Sequence, residues 1–141
     1  MATMAKRPAT LLYGGSSDDT ANATQAAQFI NTLLEAAATI HKQHLMTTGP
    51  GSFAAHEALG AVYDDIETMA DDLAESFMGC QGTGLSFAGV DASNYSSETR
   101  RIYEYIEENR AMMGSESHIQ NLVDEILDKL ARNLFKLDRL A

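Results

Sequence analysis

Residues 44–57 read HLMTTGPGSFAAHE, and the reading of the whole chain turns on them. Gly49-Pro50-Gly51 cannot continue a helix, because proline lacks the amide donor and the two glycines favour left-handed backbone. On each side of that break the apolar residues recur at three- and four-residue steps. Upstream they are Ala26, Ile30, Leu33, Leu34, Ala37 and His41. Downstream they are Leu59, Val62, Tyr63, Ile66, Met69, Ala70, Leu73 and Phe77. Such spacing marks amphipathic helices, so the break is the turn of a helical hairpin. Its arms are expected over about 20–46, capped by Asp19 or Thr20, and about 52–78.

Beyond the hairpin, Gly79, Gly82, Gly84 and Gly89 mark an irregular connection reaching Asn94. It lacks the GxxxxGK[ST] pattern of a phosphate cradle, which makes it a linker. A third helix is expected over about 97–113, carrying Ile102, Tyr105, Ile106 and Met113, with Gly114 to end it and Ser115 to cap the next. The fourth is expected over about 116–140 along Ile119, Leu122, Val123, Ile126, Leu130, Leu134 and Leu137. Its acids precede its bases, as the helix dipole prefers. No strand pattern competes. The expectation is an all-α, four-helix bundle over residues 20–141 behind a flexible tail of residues 1–19.

The remaining composition narrows the function classes. The chain has 141 residues, 20 acidic against 10 basic, for a formal charge of −10. A net-acidic surface repels phosphates, so DNA binding by bulk charge is disfavoured, while cation binding is not. Cys80 is the only cysteine, which leaves no internal disulfide and no Cys-x-x-Cys zinc motif. No apolar run reaches the roughly 18 residues of a membrane span, and none follows Lys6 and Arg7 as a secretory leader requires. These features lead to the expectation of a cytoplasmic protein.

Chemistry-bearing residues gather near the first hairpin. His44 and His56 stand six residues on either side of Pro50, and Asp71 and Glu75 lie one turn apart on the second helix. Imidazole with carboxylate suits iron, zinc or manganese. The Glu-x-x-His pairs that build a di-metal site inside a single bundle do not occur. At about 100° per residue, Glu75 lies roughly 180° and Asp71 roughly 140° from the stripe centred on Ile66. His56 lies at roughly 80°, and about 22 Å along the helix from Asp71. One ion therefore cannot touch both within a chain. A second copy, its second helix antiparallel to the first, would bring His44 and His56 opposite Asp71 and Glu75 and create two equivalent sites.

The segment His44…Gly49-Pro50-Gly-Ser-Phe53-Ala-Ala-His56-Glu57, followed by Tyr63, Asp71 and Ala74-Glu75, resembles the ferroxidase signature H-x11-H-x3-D-x10-D-x3-E of the Dps family of mini-ferritins. The closing Leu134-Phe135-Lys-Leu137 resembles that family's last helix, and the chain's shortness resembles the divergent members encoded by bacteriophages. The resemblance implies a ferritin-like bundle with a small extra helix between the second and third helices. It also implies an iron site between subunits, with Asp71 and Glu75 from one and His44 and His56 from the other. Ferrous iron would be oxidised there by peroxide or dioxygen and sequestered as ferric mineral in a shell of up to twelve subunits. The third position of the signature is Gly60, where the family has an acidic residue. His41, one turn before His44, is the nearest spare ligand, although its phase with Leu34 points toward the core. A structural or interaction protein on the same fold, with a degenerate metal site, is the alternative that Gly60 raises.

Overall fold

The computed structural model describes residues 17–140, with side-chain burial from residue 22 onward. The expected tail of residues 1–19 lies outside the described residues up to residue 16. Four α-helices follow in order: α1 (Ser17–Met46), α2 (Ser52–Gln81), α3 (Ser97–Asn109) and α4 (Ser117–Arg139), with a 3-10 turn, Arg110–Met113, closing α3. No strand occurs among the described residues. The chain divides into two compact units, Met1–Val90 and Asp91–Ala141.

In the first unit α1 and α2 form an antiparallel hairpin through residues 47–51. Gly49 at φ 90° and Gly51 at φ 77° adopt the left-handed backbone that the turn needs. α1 passes through Asp19 and Thr20 without pausing, so neither is its cap. α2 takes in Gly79 and runs to Gln81, three residues past the expected end, and stops at Gly82, whose left-handed conformation lets its amide bond the Met78 carbonyl at 2.9 Å.

The seam between the two arms is narrow. Ala37 and Ala70 are wholly covered (0% exposed), and Ala27 and Ile30 are buried beside them. Alanines let the two backbones approach closely. The covered residues occupy only one edge of the apolar stripes read from the sequence: Leu34, Val62, Met69 and Leu73 stay exposed. A periodic stripe spans more than 100° of helix surface, and a single neighbouring helix covers about half of that.

The second unit pairs α3 with α4. Val123, Leu127 and Leu134 are buried, whereas Leu122 and Ile126 are exposed. Leu127 falls outside the expected stripe, since the covered line lies one residue round the helix. The expected helix over 97–113 tightens into the 3-10 turn after Asn109, and Gly114 ends it at φ 88°. The first residue before α4 is Glu116 in extended backbone with no side-chain cap; Ser115 does not cap it. Gln120 fastens the corner instead, donating to the carbonyls of Arg110 (3.0 Å) and Gly114 (2.7 Å). Its own Oε1 accepts from Arg110 Nε at 2.7 Å. Arg110 reaches on to Asp124, and Arg100 to Asp138, each at 2.6 Å. No described helix is long and apolar enough to cross a membrane.

Candidate metal centre

At the loop end of the first hairpin, the seam carries rings in place of alanines. Continuing the covered line of α1 past Ala37 leads to His41 and His44. Running α2 back from Ala70 leads to Tyr63, Gly60 and His56. All three histidines and Tyr63 are half-buried. His44 and His56 stack with centroids 3.6 Å apart and planes 26° from parallel. His41 lies flat on Tyr63 at 3.9 Å and 9°. His44 and Tyr63 meet in a T-shaped contact with centroids 5.6 Å apart, and the His41 and His44 centroids are 6.0 Å apart.

The stacked pair is held by exchanged hydrogen bonds. His44 Nδ1 donates to the His56 carbonyl at 2.7 Å, and His56 Nδ1 donates to the His44 carbonyl at 3.1 Å. A carbonyl oxygen only accepts, so both rings carry their proton on Nδ1 when neutral. The His44 carbonyl belongs to the last turn of α1, where carbonyls lack intrahelical donors; it accepts from the Thr47 amide at 3.4 Å and, more closely, from the His56 ring, which thus helps to finish that helix. A histidine whose Nδ1–H is tied to a backbone carbonyl has its tautomer and ring orientation set for ligation through Nε2. A metal ion binds near the plane of an imidazole. Two stacked rings therefore offer one nitrogen to each of two ions more readily than two nitrogens to one.

Gly60 belongs to this arrangement. A Cβ built there would stand 3.2 Å from His44 Cε1 and 3.4 Å from His44 Nδ1. The His44 ring thus rests directly on the α2 backbone, at the turn whose carbonyl, His56, it bonds. A side chain at position 60 would compete with the ring for this space.

Asp71 and Glu75 are exposed, farther along α2. Neither has a hydrogen bond or ion pair to the histidines, and among the described residues no three His, Cys, Asp or Glu side chains gather closely enough to hold an ion. The chain thus brings His44 and His56 together and leaves the carboxylates apart from them. The sequence reading missed the exchanged bonds, the His41–Tyr63 stack and the reason for Gly60. The signal available was the placement of His44 and His56 equidistant from Pro50, which puts them face to face in any tight antiparallel hairpin.

An all-helical protein with a paired-histidine seam is the class that these observations define. The chain belongs to DUF5856, a family of unknown function, which it matches over residues 44–137. That span takes in all four candidate ligands. No curated protein and no solved structure matches the chain.

Proposed function

We propose that this chain is a Dps-like ferritin that takes ferrous iron as substrate at an interface between two copies, oxidises it with dioxygen or peroxide, and sequesters the product. The observation that carries the reading is the state of His44 and His56: two rings locked by Nδ1 to backbone carbonyls, with Nε2 left as the donor nitrogen. Asp71 and Glu75, exposed and one turn apart on α2, are the oxygen donors that a second copy would bring. Nitrogen with carboxylate oxygen suits iron, and two ions held side by side can pass two electrons to one oxidant. The donor set fits the substrate, although a single chain does not complete the site.

Adding ferrous iron without oxygen and then admitting air tests the reading. The protein is expected to develop ferric absorbance in proportion to its sites, and His44→Ala combined with Glu75→Ala to abolish it. Equal oxidation by the double variant and the unaltered protein would end the proposal.

Gly60 favours a second reading, an interaction protein on the same fold whose metal site has lost a ligand. It predicts no stoichiometric iron in purified protein and a small assembly, no larger than a dimer, by light scattering. A larger shell with bound iron would dismiss it.

A further inference from the structure

We infer that Gly60 is a positioning residue: it is the seat of the His44 ring, and its empty side is what keeps the histidine pair in its ligand-ready state. The inference rests on the iron reading for its consequence but not for its geometry. A carboxylate ligand is absent from position 60, and the space it would need is filled by an imidazole. His44 Cε1 and Nδ1 stand 3.2 and 3.4 Å from where a Cβ would lie, the first closer than ordinary van der Waals contact and the second at its near limit.

The ring cannot easily give way. Its Nδ1 is tied to the His56 carbonyl, one face is covered by His56, and it makes a T-shaped contact with Tyr63. Moving it by a few tenths of an ångström lengthens the 2.7 Å bond and opens the stack. Moving it further frees Nδ1, after which the proton can settle on either nitrogen and the ring no longer presents Nε2 alone. The glycine therefore acts through His44, with no contact to the ion itself. Fixed imidazole donors, one to each of two ions, also favour borderline cations such as Fe2+, Co2+ or Zn2+ over Mg2+ and Ca2+.

The variants Gly60→Ala and Gly60→Asp test this, read by long-range proton–nitrogen spectra of the histidine rings and by titration with Co2+, whose absorption reports bound nitrogen donors. In the unaltered, metal-free protein both rings are expected to show protonated Nδ1 and bare Nε2. Gly60→Ala is expected to keep its helical circular dichroism while His44 loses that signature and Co2+ affinity falls about tenfold or more. Gly60→Asp is expected not to recover the affinity. Unchanged ring signals in Gly60→Ala would overturn the seat, as would a gain of Co2+ affinity in Gly60→Asp with the stack intact. If the unaltered protein shows the ring signature but binds no Co2+, the iron reading fails, while loss of the signature in Gly60→Ala still supports the seat.

Discussion

His56 serves two ends at once. Its ring supplies a donor to the His44 carbonyl at the close of α1, and its own carbonyl receives the His44 ring. His56→Ala therefore removes both the stack and a helix-terminal hydrogen bond, and should cost about 1–3 kcal/mol in a urea unfolding experiment. Tyr63 offers a contrast. Its contacts with His41 and His44 are made by the ring, so Tyr63→Phe should stay within about 0.5 kcal/mol of the unaltered protein, while Tyr63→Ala should lose about 1–2 kcal/mol. Gly60→Ala sets a helix-propensity gain of about 1 kcal/mol against displacement of His44. Its stability should change little even as the histidine signature disappears. A large loss of stability would mean that the ring cannot move at all.

At the scale of elements, the hairpin depends on small residues. Ala37 and Ala70 are both wholly covered, and replacing either with leucine forces α1 and α2 apart. Ala70→Leu should cost about 1–3 kcal/mol, measured as a fall in the denaturation midpoint. The ion pairs behave differently, because they lie on the surface. Asp128 is held below the ordinary aspartate range by its hydrogen bond to Arg132, and Glu98 below the glutamate range by its bond to Arg101. A carboxylate whose folded pKa is depressed contributes stability above its unfolded value and loses it as pH falls through the folded one. Helix α4 should therefore still hold most of the Asp128–Arg132 pair at the ordinary aspartate value of 3.8 and release it below that. A carboxyl-carbon titration of Asp128 with a midpoint at or above 3.8 would contradict this.

The four helices were legible because their apolar periods are long and their breaks contain Gly and Pro. The core was less so. Periodicity marks a stripe, but which edge of it is covered depends on a neighbour's position, which is why Leu34 and Val62 proved exposed while Leu127 proved buried. That His44 and His56 share one end of the hairpin was legible by spacing. Their hydrogen bonds were not, since a ring-to-carbonyl exchange depends on how closely two helices approach, and that is decided by Gly60 and the seam alanines. In the sequence Gly60 shows only the absence of a carboxylate; that its backbone is also the surface on which His44 rests follows from the fold alone.

On the whole-molecule scale, each unit taken by itself leaves an apolar line that its own two helices do not cover: Leu34, Val62, Met69 and Leu73 on the first, and Tyr105, Met112, Leu122 and Ile126 on the second. Exposed apolar surface of this extent is a feature of chains that associate. Light scattering should find a mass of at least two chains at micromolar concentration, and a strict monomer would remove the shared site. The most direct test of that site is complementation. One variant carries His44→Ala and His56→Ala; the other carries Asp71→Ala and Glu75→Ala. Each alone should fail to oxidise ferrous iron. Unfolded together and refolded, they form mixed dimers in which one site of the two regains all four ligands, so about a quarter of the unaltered protein's oxidation should return. No recovery in mixed dimers confirmed by mass, while the unaltered protein oxidises iron, would contradict the account.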